Sequence, residues 1–217
     1  MDETRLQVTE IFSSIQGEST WSGCPCTFVR LSGCPLCCRW CDTGYARDGG
    51  GTWMSSDEII ESVKALGLGL VEITGGEPLA QPGSIDLMRR LADERFTVLL
   101  ETSGAFPIEP VDPRVHRIMD LKCPGSGMER SNRLENLGFL RPGDELKLVV
   151  ADRADYEWAR SMLATRAVDP GVEVLFAAVH PALEPAELAS WILRDRLRAR
   201  LQVQLHRVLW PQRERGV

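Results

Sequence analysis

Histidine is scarce in this chain: 217 residues hold three, His116, His180 and His206. No two of them stand at metal-ligand spacing, so structural or surface roles are expected for all three. A run of about 18 apolar residues, the length a membrane-spanning helix needs, is also absent. There is no basic excess: the net charge is −6 and the sequence pI about 5.2. An acidic chain is poorly suited to wrapping nucleic acid through its phosphates. The arginines between 194 and 215 read as a solvated face and tail. Met1-Asp-Glu-Thr4 lacks the basic and apolar regions of a secretion signal. Seven cysteines, an odd number in a chain of this length, do not suit a disulfide framework. No repeat, low-complexity tract or linker interrupts the sequence, so a single domain over 1–217 is expected. Neither nucleic acid nor membrane is expected as a partner, and clustered thiols place the protein in the reducing cytoplasm.

What the chain does have is a concentration of thiols. Cys34, Cys37, Cys38 and Cys41 fall within Cys34-Pro-Leu-Cys-Cys-Arg-Trp-Cys41-Asp-Thr43. Cys34, Cys38 and Cys41 form C-x3-C-x2-C, and Cys34-x2-Cys37-x3-Cys41 is the formal alternative. Three thiolates can hold three irons of a four-iron cluster and leave the fourth open to a reactant. Structural zinc wants four closed ligands, usually two separated cysteine pairs. No second C-x2-C pair occurs here, since Cys24 and Cys26 are spaced C-x-C and Cys123 stands alone. Extra thiols such as Cys24 and Cys26 behave as small apolar residues.

Short β-rich runs at 6–12, 27–31, 70–74, 97–101, 117–121, 145–150, 173–179 and 201–205 alternate with amphipathic stretches at 56–66, 84–94, 154–164 and 185–196. Several runs are continuously apolar, as in strands of a parallel sheet buried on both faces. The alternation implies β-α-β units. Ser55 or Ser56 supplies an N-cap ahead of Asp57 and Glu58, and Pro185 suits a first helical turn. Residues 123–141, rich in Gly, Ser, Arg and Asn, read as a loop with at most one short helical turn. The expected fold class is α/β, a partial, open (β/α) barrel of roughly six units, because a closed eight-fold barrel typically takes ~250 residues. In such folds ligands bind beyond the carboxyl ends of the strands. The cysteine loop follows 27–31, and Thr74-Gly75-Gly76-Glu77-Pro78 follows 70–74. Both therefore lie on the same edge.

Adjacent glycines adopt backbone angles closed to other residues and let a ligand approach the main chain closely. The cysteine spacing and the Gly-Gly-Glu-Pro turn together resemble the radical S-adenosylmethionine (SAM) superfamily. Ser14-Ile-Gln16-Gly17-Glu18-Ser19, Phe28-Val-Arg30-Leu-Ser-Gly33-Cys34, Trp40-Cys41-Asp42-Thr43, Glu101-Thr-Ser-Gly104, Asp120-Leu-Lys122-Cys-Pro124 and Arg200-Leu-Gln202-Val-Gln204-Leu-His206 narrow the resemblance to the 7-carboxy-7-deazaguanine synthases. That resemblance covers essentially the whole chain. It implies a lyase of queuosine and 7-deazapurine biosynthesis that converts 6-carboxy-5,6,7,8-tetrahydropterin to 7-carboxy-7-deazaguanine. A 5′-deoxyadenosyl radical abstracts hydrogen, the ring contracts and ammonia is lost. The implied cofactors are a 4Fe–4S cluster, SAM and Mg2+.

Carried over residue by residue, the resemblance makes Cys34, Cys38 and Cys41 the cluster ligands, which sets Cys37 aside. Thr43 is implied as a Mg2+ ligand, although a turn hydroxyl capping its own backbone is the plainer role. Trp40, Cys41, Asp42, Gly76, Asp120, Leu121, Lys122, Ala177 and Ala178 are implied at SAM. Ile15, Gln16, Gly17, Arg30 and Thr74 are implied at the pterin, with Arg30 pairing its carboxylate; a strand-end surface arginine is the plainer reading. No catalytic side chain is implied beyond these. Phe176-Ala177-Ala178-Val179-His180 departs from a more Phe-Ser-Pro-Val-like family pattern, and the tail Trp210–Val217 runs past the last expected strand. A reductant such as flavodoxin is implied, and the oligomeric state is left open between monomer and homodimer. The competing functions are a glycyl-radical activating enzyme acting on a partner protein and a non-enzymatic iron–sulfur or zinc regulator.

Overall fold

The computed structural model describes residues 5–217. Nine strands, β1 (Arg5–Ile15), β2 (Pro25–Leu31), β3 (Thr52–Ser55), β4 (Leu70–Gly75), β5 (Thr97–Thr102), β6 (His116–Asp120), β7 (Glu145–Val150), β8 (Glu173–Ala178) and β9 (Arg200–Gln202), form one sheet. The sheet is open, in the order β3-β1-β2-β4-β5-β6-β7-β8-β9. From β2 to β9 every neighbouring pair is parallel, whereas β1 runs antiparallel to both β2 and β3. The helices are α1 (Gly44–Arg47), α2 (Ser56–Leu66), α3 (Gly83–Asp93), α4 (Arg153–Thr165), α5 (Pro185–Asp195) and α6 (Leu205–Leu209). The expected open α/β architecture is present, with an antiparallel β3-β1 edge that the alternation did not announce.

Period-two alternation along the strands separates two cores. Val71, Ile73, Val98, Leu100, Leu146 and Leu148 belong to the larger cluster, which includes Ile59, Leu87, Tyr156 and Trp191 of the helices. Each fully buried aliphatic side chain of this kind contributes about 1.5–3 kcal/mol. Alternate positions, Cys26, Phe28, Leu70, Leu99 and Ile118, form a smaller cluster on the other face with Phe12 and Trp21. Towards the carboxyl ends this second face turns polar. Arg30, Glu72, Thr74, Glu101, Asp120 and Lys147 succeed the apolar layer and line a cavity.

Local chemistry explains the boundaries. The hydroxyl of Ser55 accepts from Glu58 N–H at 3.2 Å while Ser55 N–H donates to the Glu58 carboxylate at 2.7 Å, a capping box that starts α2. Gly67, left-handed at φ +72°, ends it. Between Pro124 and Phe139 the structure has three short 3-10 turns, where one was expected. Side-chain amides hold them: Asn132 pairs with both N–H and C=O of Lys122, and Asn136 donates to the carbonyls of Gly104 and Phe106. The last strand stops at Gln202 instead of reaching 205. Leu205 N–H donates to Gly17 O at 3.0 Å, which draws the chain off the sheet edge and towards the Gln16-Gly17 turn.

Candidate active site

The cysteine loop and the Gly-Gly turn are packed directly on each other. Gly76 N–H donates to Leu31 O at 3.0 Å and Glu77 N–H to Gly33 O at 2.8 Å. A Cβ on Gly76 would lie 2.1 Å from Gly33 O, and one on Gly75 (φ +136°) would lie 2.2 Å from Leu31 O. Only glycine permits that approach. Glu77 is fully buried and accepts from Leu79 N–H at 2.9 Å, Thr102 Oγ1–H at 2.8 Å and Ser103 N–H at 2.6 Å. It thereby staples the turn to Glu101-Thr-Ser-Gly104.

These segments surround a cavity of about 560 Å³ at the carboxyl ends of the strands. Cys34, Cys38 and Cys41 line it. Cys37 is exposed, is not among the lining residues, and turns its N–H to Met128 Sδ at 3.4 Å. A tight turn, Cys41 N–H to Cys38 O at 3.2 Å, separates the last two lining thiols. Burial pushes the Cys34 and Cys38 thiols up from their ordinary range. Among the described residues no three His, Cys, Asp or Glu groups converge on a single ion.

Of the residues expected at SAM, Trp40, Asp42, Gly76, Asp120, Lys122, Ala177 and Ala178 line this cavity with Cys41. Leu121 is placed differently, with its side chain in the larger core. Asp120 accepts from Lys122 Nζ at 2.8 Å through Oδ2, while its Oδ1 is buried without a partner. That orphaned acceptor suits a ligand donor. Of the residues expected at the pterin, Ile15, Gln16, Gly17, Arg30 and Thr74 all line the same cavity. Arg30 is 8% exposed, not a surface arginine; its Nε donates to Glu10 Oε1 at 2.8 Å, which also accepts from Tyr45 OH at 2.8 Å. Thr43 lines the wall without capping α1, its hydroxyl 3.8 Å from Cys41 Sγ.

His180, exposed, and His206, half-buried, also line the cavity; His116 packs edge-on against Trp21 at 5.4 Å. His206 arrives there because the chain leaves the sheet after β9. A Cβ on Gly17 would meet His206 Nδ1 at 2.7 Å, so the glycine lets α6 close on the Gln16-Gly17-Glu18 turn. Sequence reasoning also missed Glu18, Glu72, Glu101, Lys147, Gln204 and the tail residue Val217 as wall residues. A signal existed for two of them. Glu72 between Val71 and Ile73, and Lys147 between Leu146 and Leu148, are charges at the inward phase of otherwise apolar strands.

Residues 28–120 match the Radical SAM superfamily. The chain is 48% identical to the 7-carboxy-7-deazaguanine synthase of Chlorobaculum tepidum over 99% of both chains. The chain belongs to the 7-carboxy-7-deazaguanine synthase family. The synthase of Koribacter versatilis is 44% identical, over 98% of this chain and 100% of its own. A crystal structure of QueE from Escherichia coli has the same fold, with a TM-score of 0.74 at 24% identity over 92% of this chain and 94% of that one. These synthase relatives weigh against a glycyl-radical activating enzyme. Within the family fold, the superfamily match holds the cysteine loop, the Gly-Gly turn and Asp120. The opposite wall, including Lys147, Ala177, Gln204 and His206, lies outside that match.

Proposed function

We propose that this chain is a lyase converting 6-carboxy-5,6,7,8-tetrahydropterin to 7-carboxy-7-deazaguanine with loss of ammonia. The observation that carries the reading is one cavity shared by three thiols, the Gly-Gly turn and the buried Arg30. Cys34, Cys38 and Cys41 would hold the 4Fe–4S cluster, for which soft thiolates are suitable ligands. When bound, the cluster and SAM supply one electron and a carbon-centred radical able to abstract hydrogen. The Gly76 main chain, Asp120 Oδ1, Trp40 and Ala177–Ala178 would bind and orient SAM. With Nε held by Glu10, the Nη edge of Arg30 is left for the substrate carboxylate. Ile15, Gln16, Gly17 and Thr74 would present donors and acceptors to the pterin. Tail residues Trp210, Arg213, Glu214 and Val217 line the cavity, with the Arg215 guanidinium 4.4 Å from the Tyr45 ring, and would help to exclude water. A one-electron donor such as flavodoxin and a cytoplasmic setting accompany this reading.

Mg2+ belongs to it as well. The ion takes hard oxygen ligands and keeps several waters, so the Thr43 hydroxyl beside substrate oxygens is a sufficient protein contribution. Thr43→Ala is expected to raise the Mg2+ concentration for half-maximal turnover roughly tenfold or more. An unchanged metal titration removes Thr43 from the site. The function itself is tested by anaerobic turnover: reconstituted protein with SAM, reductant and the tetrahydropterin should release the deazaguanine, followed by its ultraviolet absorbance. SAM cleavage without that product overturns the assignment.

A further inference from the structure

One buried lysine of the cavity wall is bonded to two carboxylates. Lys147, on the inward face of β7, is 5% exposed. Its Nζ donates to Glu18 Oε2 at 2.7 Å and to Glu101 Oε1. Glu18 Oε1 accepts from Gln204 Nε2 at 2.7 Å, and Gln204 Nε2 also lies 3.4 Å from Asp42 Oδ2. On the other side Thr74 Oγ1 lies 3.4 Å from Glu101 Oε2. A hydrogen-bonded arc therefore runs Asp42, Gln204, Glu18, Lys147, Glu101, Thr74, from the cysteine loop to the Gly-Gly turn. It joins residues 162 positions apart at its first link; Lys147 is the cation between its two glutamates, while Arg207 of α6 donates to Gln204 Oε1 and lies 3.5 Å from Asp42 Oδ2 at its outer end.

We propose that Lys147 is a positioning residue for substrate. Its ammonium holds the Glu18 and Glu101 carboxylates side by side on the cavity wall, so that their remaining lone pairs accept N–H groups of the bicyclic heterocycle. Each carboxylate oxygen has two acceptor sites, so the bonds to Lys147, Gln204 and Thr74 leave capacity facing the cavity. Without the ammonium, two carboxylates would share a desolvated floor and one would take up a proton, becoming a donor where the ligand also donates. The other ionisable groups facing this layer are Glu72 on β4, Asp120 on β6, Lys122 after β6, Arg30 on β2 and His206 on α6. Of these, Arg30 is paired with Glu10 and Lys122 with Asp120. Burial, the largest single influence, pulls the Glu18 carboxyl up, but the charge and hydrogen bond of Lys147, the hydrogen bond from Gln204 and the nearby His206 together hold the group down at about 2.

This inference rests on the proposed substrate, and the test separates the two. Steady-state turnover of carboxytetrahydropterin is measured on reconstituted holoprotein across pH. Lys147→Met is expected to raise KM roughly tenfold or more, the loss of charge-assisted hydrogen bonds, and to move the acidic limb of kcat/KM to higher pH. Lys147→Arg keeps the charge and should restore the limb. A Lys147→Met protein with KM within about twofold of wild type and an unmoved limb overturns the proposal. So does Lys147→Arg behaving no better than Lys147→Met. SAM affinity of each variant reports folding. If Lys147→Met does not fold, Glu101→Gln replaces it: raised KM supports the arc, and unchanged KM overturns it. Wild-type protein that cannot turn the pterin over sinks the substrate assignment and this role together, whereas wild-type turnover with an unaffected Lys147→Met sinks only the role of Lys147.

Discussion

Cys38→Ala is expected to leave the anaerobically reconstituted protein almost without bound iron and without SAM cleavage, while Cys37→Ala keeps both. The two residues are adjacent, yet their surroundings are opposite. Cys38 is half-buried at the cavity wall and its carbonyl closes the turn to Cys41. Cys37 is exposed outside that wall and its N–H faces Met128. A cluster held by three thiolates loses a third of its protein ligands with one substitution, and the two that remain cannot close the loop around it. The fold should tolerate the change. Burial pushes the Cys38 thiol up, so without iron it is a small neutral group, and alanine replaces it with little loss of packing. Iron content, SAM cleavage and far-ultraviolet circular dichroism together separate lost ligation from lost folding. Normal iron in Cys38→Ala, or its loss in Cys37→Ala, reverses the ligand choice.

The edge that carries the chemistry was legible because it follows from parallel strands alone. Strands entering loops at Leu31 and Gly75 must place those loops at one end of the sheet. The Ser55 cap and the Pro185 start were readable because each depends on residues within one helical turn, and both glycines of the turn were readable as a motif, although the approaches that demand them, to Leu31 and Gly33, are distant in sequence. What escaped depends on pairs distant in sequence. Gln204 meets Glu18 across 186 positions and Thr20 meets Glu145 across 125, and no local pattern announces either. His206 illustrates the cost. Placed at the end of an expected strand it looks peripheral, but a single hydrogen bond from Leu205 to Gly17 turns the chain into the cavity. Lys147 lay between: its inward phase was visible, but its two carboxylate partners come from β5 and from the loop after β1.

Asp144→Ala is expected to destabilise the protein by about 3–5 kcal/mol, the cost of leaving a buried charge without its partner. Arg117 and Asp144 sit at the amino ends of β6 and β7, opposite the cavity, with side chains only 3% exposed. Asp144 Oδ2 accepts from Arg117 Nε at 2.9 Å and from Arg141 N–H at 3.0 Å, and Oδ1 accepts from Arg117 N–H at 3.0 Å. Removing the carboxylate orphans a guanidinium and two main-chain donors together. Removing the guanidinium by Arg117→Met leaves a carboxylate that still accepts two N–H bonds, so it should cost less. Denaturant unfolding of the two variants reads both the size and the order; a loss below about 1 kcal/mol for Asp144→Ala, within the usual range of a single neutral hydrogen bond, or a larger loss for Arg117→Met, refutes the account. The pair also pins a short ladder, Ile118 to Glu145, Met119 to Leu146 and Asp120 to Lys147. A slip of one residue there would turn Lys147 away from the cavity. Because Lys147 is separately tied to Glu18 and Glu101, the folded fraction of Asp144→Ala should keep that register, and its KM for the pterin should match wild type even as its stability falls.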